Sequence, residues 1–191
     1  MRNIYYIIIW IIAVFMLSGC IHRELIIAGP STVASEEVST PQGETKDDTV
    51  IPRIAFPEEE YRRLSKSGNA TIKGRIYVSD AYGKKIYGKQ VRLYLNPVTS
   101  YSKQWYSESY IGGYKMEKAD KRLYNYLKFT ASNIEGKFAF YGVPSGTYYV
   151  IGMVKCGKAC GYDNPRNIRI AKEVTVSGSE TESVDLGKMI N

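Results

Sequence analysis

Histidine is nearly missing from this chain of 191 residues: the one copy is His22. Everything after it lacks the commonest general base and the commonest neutral metal ligand. Zinc-assisted hydrolysis and the usual activation of a serine or cysteine nucleophile are thereby excluded. Cysteine is scarce as well. The three are Cys20, Cys156 and Cys160, and the last two are spaced more widely than the Cys-x-x-Cys of thioredoxin-type redox pairs. No Gly-rich phosphate loop is present, since Ile111-Gly112-Gly113-Tyr114 lacks the strand-to-helix context such loops require. No apolar run reaches the roughly 20 residues of a membrane-spanning helix. The longest, Ile4 to Met16, has 13. These absences predict a protein that is not an enzyme and holds no cofactor or metal.

That short run has its own meaning. Met1-Arg2-Asn3 is a brief positive start, the apolar stretch follows, and small residues close it, which is the anatomy of a signal peptide over 1–19. The closing residues Leu17-Ser18-Gly19-Cys20 resemble the lipobox of bacterial lipoproteins. The resemblance implies that the Cys20 sulfur receives a diacylglyceryl group and that cleavage makes Cys20 an acylated N-terminus. Each buried CH₂ contributes about 0.8 kcal/mol, so two or three chains make a stable anchor. With Ile21 rather than Asp after the cysteine, the family's sorting rule implies the outer membrane, with the protein facing the periplasm or the surface. In that oxidising compartment Cys156 and Cys160 are expected to form a disulfide. The ring through Gly157-Lys158-Ala159 is too small to gain much chain entropy, so it would staple a loop.

Charge is distributed unevenly. Residues 21–60 carry nine Asp/Glu and three Lys/Arg, a net of −6, whereas 61–191 carry 22 Lys/Arg and ten Asp/Glu, a net of +12. A lipidated acidic tether over 20–55, without sustained periodicity, would carry a basic head. Such a head suits anionic lipid headgroups, glycans or an acidic protein face in the envelope. Export disfavours nucleic acid, the other usual partner of a basic domain.

Residues 56–68 predict a short helical clasp. Pro57 suits a first turn, Glu58 to Glu60 complement the positive end of the dipole, and Gly68 would stop it. Phe56, Tyr61 and Leu64 would pack on the domain. The apolar period then switches to two. Ala70–Val78, Val91–Leu95, Tyr126–Thr130, Lys137–Tyr141, Thr147–Val154, Ile168–Val176 and Thr181–Leu186 each read as a strand, separated by turn signals such as Asp80-Ala81-Tyr82-Gly83 and Pro144-Ser145-Gly146. The fold class is therefore all-β, an antiparallel Greek-key sandwich of about seven strands over 69–191.

Gly74-x-Ile76, Val91-x-Leu93 and above all Gly136-Lys137-Phe138-x-Phe140-x-x-Val143-Pro144-x-Gly146-x-Tyr148-x-Val150 resemble the carboxypeptidase regulatory-like domain, a transthyretin-like sandwich. That family is similar to the accessory domain beside zinc carboxypeptidases, not to their catalytic domain. Enzymes on related sandwiches depend on histidines that this chain lacks. The resemblance implies Phe138 and Phe140 in the core, with Tyr148 and Val150 returning in the next strand. Asn133 stands where many members place an Asp before the glycine turn.

An insert near 99–126 stands out. Tyr101, Trp105, Tyr106, Tyr110 and Tyr114 interleave with Lys103 and Lys115, and Tyr124, Tyr126, Lys118, Lys121 and Arg122 continue the pattern. Aromatic faces among cations can bind a glycan, a lipid headgroup or an acidic protein. The same residues could equally fold back on the sheet as a satellite core. The functional expectation is a non-catalytic, membrane-anchored binding or scaffolding module. The alternative is a structural accessory lipoprotein of a multiprotein secretion, conjugation or efflux machine.

Overall fold

A computed structural model describes residues 49–80 and 82–190. The signal peptide over 1–19, Cys20 and the tether up to residue 48 lie outside the described residues. Among the described residues, eight strands form two four-stranded sheets. In the first sheet β1 (Ala70–Ser79) is central: β2 (Lys85–Tyr87) and β5 (Lys137–Val143) pair antiparallel with successive parts of it. The C-terminal strand β8 (Thr181–Met189) pairs with β1 in parallel, from Thr71↔Thr181 to Ser79↔Met189. It overlaps both other partners in register, so it occupies the opposite edge. The second sheet runs β4 (Lys128–Ala131), β3 (Arg92–Pro97), β6 (Gly146–Cys156) and β7 (Arg166–Val176), all antiparallel.

The sandwich expected from the period-two pattern is the fold observed. Alternation places Ile72, Ile76 and Val78 of β1, Leu93 and Leu95 of β3, Phe138 and Phe140 of β5, Val150 and Val154 of β6, Ile170 and Val174 of β7, and Val184 and Leu186 of β8 in one core between the sheets. The turn before β5 is built on Asn133, whose Oδ1 accepts from the backbone N–H of Glu135 and of Lys137, both at 2.9 Å. An aspartate would make the same two bonds. Gly136 follows at φ +74°, where a side chain would be strained.

Three details differ from the sequence expectation. β2 has only three residues, too few for a period to register. β4 begins at Lys128 rather than Tyr126, because Lys121–Tyr126 form a 3₁₀ turn and Tyr126 packs on Tyr61, 4.8 Å between ring centroids. The clasp helix α1 (Glu58–Arg62) ends six residues before Gly68. Gly68 is required for another reason: a Cβ there would run into the backbone of Val143 and Pro144.

Cys156 and Cys160 are disulfide-bonded, with Cα atoms 5.8 Å apart, across a short 3₁₀ turn (Lys158–Cys160) after β6. Replacing both by serine is expected to lower stability by no more than about 2 kcal/mol, the loop-entropy value for so short a ring. Thermal melts of the variant and the parent check this.

Candidate functional site

The insert folds into three short pieces over the outer face of the second sheet. α2 (Ser100–Gln104) opens with a capping box. The Thr99 hydroxyl accepts from Ser102 N at 3.2 Å, and the Ser102 hydroxyl accepts from Thr99 N at 2.8 Å. The clasp holds this turn from below. Thr99 Oγ1 donates to the Tyr61 hydroxyl at 2.9 Å, while the Glu60 carboxylate accepts from Ser100 N at 2.9 Å and from Ser100 Oγ at 2.6 Å. Ahead of the clasp, Ile51 N donates to Lys115 O at 2.8 Å and Glu117 N to Ile51 O at 3.0 Å. Arg53 Nε donates to Glu117 O at 2.8 Å. The chain is therefore bonded to the insert from Ile51 onward, within the segment assigned to the tether.

A π-helical segment, Trp105–Ile111, continues α2. Its i→i+5 bonding places residues five apart on one face, and Trp105 and Tyr110 accordingly stack with centroids 6.0 Å apart. Tyr106 lies flat on Tyr149 of β6 at 4.3 Å and 7°. With Ile151 and Ala171 these rings form a second apolar cluster outside the main sandwich. β6 is consequently covered on both faces from Tyr148 to Gly152. Burial beside Glu173 pushes the Tyr149 hydroxyl up to about 12.

The insert thus sorts its aromatic and basic residues into three groups. Tyr101 is 2% exposed, and its hydroxyl accepts from Asp120 N at 2.8 Å, inside the insert rather than on its surface. Tyr106 and Tyr110 belong to the satellite cluster. Lys103, Tyr114 and Lys115 lie on the exposed side. Of the seven candidate residues, Tyr101 and Trp105 line a cavity between the insert and the second sheet.

That cavity is a cleft of about 220 Å³ between the insert and strands β3 and β4. Tyr94 and Asn96 of β3, Phe129 of β4, and Trp105, Tyr101 and Tyr124 of the insert line it, with Arg53 at its rim. Arg53 lies over the Tyr101 ring at 5.1 Å, and Arg169 of β7 over the Trp105 ring at 6.0 Å. Burial raises the Tyr94 hydroxyl above its ordinary value, with Arg169 opposing the shift, so it stays protonated. Asn96 is 4% exposed, and its side-chain oxygen has no hydrogen-bond partner among the described residues. A buried polar atom left unpaired costs about 1–3 kcal/mol, so this oxygen is an acceptor that a ligand donor would satisfy.

Sequence reasoning missed Arg53, Asn96, Tyr94 and Phe129. The signal available was parity: Leu93 and Leu95 face the core, so Tyr94 and Asn96 share the outer face. Nothing in the pattern says what covers that face.

Asp120 secures the far end of the cleft by capping the 3₁₀ turn, its Oδ1 accepting from Arg122 N at 2.9 Å. The hydrogen bonds from the Arg122 side chain and backbone hold its carboxyl at about 2, against an ordinary 3.8. A depressed acid contributes stability that is complete above 3.8 and is lost as the pH falls through about 2. Acidification across that window is expected to loosen the insert, followed by Trp105 fluorescence, and Asp120→Asn should remove that step.

No protein-family model matches the chain, and no curated protein matches it. Among solved structures, the chain is similar to a Pseudomonas aeruginosa protein described as a candidate carbohydrate-binding protein. The identity is 28%, the alignment covers 71% of this chain and 99% of that one, and the TM-score is 0.62. (S)-allantoin synthase aligns at a TM-score of 0.34 and 12% identity over 64% of this chain and 42% of that one, and this likeness carries no argument. The informative likeness is to a binding protein rather than to an enzyme, compatible with a non-catalytic β-sandwich module.

Proposed function

We propose that this protein is a non-catalytic, lipid-anchored lipoprotein of the bacterial outer membrane, whose carboxypeptidase regulatory-like sandwich binds a glycan in the cleft between its insert and its second sheet. The lipobox-like Leu17-Ser18-Gly19-Cys20 supports the anchor. The observation that carries the binding reading is the cleft itself. Its walls are aromatic rings, its floor holds an amide oxygen without a partner, and about 220 Å³ is room for a sugar ring. Sugars present apolar C–H faces that stack on aromatic rings and hydroxyls that need fixed polar partners, and the cleft supplies both. The likeness to a candidate carbohydrate-binding protein supports the same reading.

Two measurements test it. Mass spectrometry of protein from native membranes should find a diacylglyceryl-modified N-terminal Cys20 peptide, and an unmodified Met1 peptide would overturn the anchor. Titration with a panel of oligosaccharides should shift the fluorescence of Trp105, the only tryptophan after Trp10. A panel in which no saccharide changes that signal would overturn glycan binding.

A further inference from the structure

We infer that the glycan is acidic, a saccharide bearing carboxylates of the uronic-acid kind. The inference rests on the glycan reading of the cleft and adds the class of sugar. Every sugar hydroxyl both donates and accepts, whereas a carboxylate only accepts, so an arginine in the wall of a cleft is matched best by a sugar that carries a carboxylate. Among the described residues no Asp or Glu lines this cleft, and Arg53 is the charged residue in its wall. The Arg53 guanidinium is held in place by Nε donating to Glu117 O and by the Tyr101 ring beneath it. Among the described residues no carboxylate forms an ion pair with it. The Glu117 carboxylate is bonded to the Arg53 backbone N–H at 3.1 Å, which leaves the two Nη groups without an ion-pair partner among the described residues and free to offer a carboxylate their fork of donors. Arg169, over Trp105, adds a second positive charge without an ion-pair partner among the described residues.

A neighbouring cleft repeats the pattern. It measures about 240 Å³, shares Leu127 with the first, and carries Lys66 and Lys128 among its walls, again with no Asp or Glu. These two clefts are thus cationic, and no carboxylate among the described residues lines either of them. The ligand that satisfies them brings the negative charge itself. Within the first cleft, Arg53 would take the carboxylate, Asn96 a hydroxyl, and Trp105 and Tyr124 the ring face.

The test uses the full-length protein in non-ionic detergent, with tri-galacturonate and its methyl ester as probes. Esterification removes the charge and leaves the sugar shape. Tri-galacturonate is expected to bind at least roughly tenfold more tightly than the ester, the range of one charge-assisted hydrogen-bonded pair. Arg53→Gln should erase that preference, the two probes then binding with similar affinity, while the melting curve and the Trp105 emission of the variant show that the cleft is still folded. Arg53→Lys, which keeps the charge and loses the fork, should retain part of it. Equal or tighter binding of the ester, or binding only of neutral sugars in the wider panel, overturns the acidic class and leaves glycan binding standing. An oligoglutamate that matches tri-galacturonate in affinity also overturns it, because charge alone would then suffice. Absence of binding by every saccharide overturns both readings together.

Discussion

Replacing Tyr61 by alanine is expected to lower the stability of the domain by about 3–5 kcal/mol, the cost of removing a large, fully buried aromatic side chain. Tyr61 is fully buried although it comes from a five-residue helix outside the sandwich. Its ring stacks on Phe56 at 4.6 Å and contacts Tyr126 at 4.8 Å, and its hydroxyl accepts from Thr99. Removing it opens a cavity where the clasp packs against the insert. The melting curve should fall, and the Trp105 signal should report the insert loosening with it or before it. Tyr61→Phe keeps the ring and loses one hydrogen bond, so about 1 kcal/mol is expected. The same variant separates a pH effect. Burial pushes the Tyr61 hydroxyl from 10.0 up to about 12. A raised value contributes stability that is complete below pH 10.0 and is lost as the pH rises through about 12. Tyr61→Phe should flatten the alkaline limb of the stability profile, and a profile identical to the parent's would refute this assignment.

Trp105→Ala should weaken glycan binding at least 30-fold, or about 2 kcal/mol, the cost of truncating a central aromatic anchor. Trp105 is half-buried, with one side against Tyr110 and Tyr149 and an edge on the cleft. Some stability is lost with it, so a second variant isolates binding. Asn96→Leu replaces a buried oxygen without a partner among the described residues by an apolar group of the same branched shape, and is expected to leave the melting temperature unchanged or raise it while affinity falls. A gain in stability together with a loss of binding marks a residue kept for its ligand. Tyr82→Ala, at a ring 97% exposed in the β1–β2 turn, serves as the neutral control. Calorimetric titration with an oligosaccharide that binds the parent reads all three.

The legibility of this protein follows from sequence distance. The strand patterns of Lys137–Tyr141 and Thr147–Val154 are local, and Phe138, Phe140, Tyr148 and Val150, expected from the motif they form, lie in the core. Turn chemistry is local too, as Asn133 and Gly136 illustrate. The insert was visible as a cluster of rings and cations, yet its division into packed, exposed and cleft-lining residues was not. That division depends on Tyr149, Ile151 and Ala171, which lie far along the chain from Trp105 and Tyr110.

What the residues determined by themselves is a β-sandwich without histidine chemistry, since period-two burial and the absence of a residue type need no knowledge of neighbours. The parallel pairing of β8 with β1, the union of clasp with insert, and the cleft were decided only by tertiary structure. Arg53, Asn96, Trp105 and Phe129 meet there from four separate segments. Parity assigns a side chain to a face of its sheet, but what covers that face, and which polar atom is left without a partner beneath it, is settled only when distant elements pack.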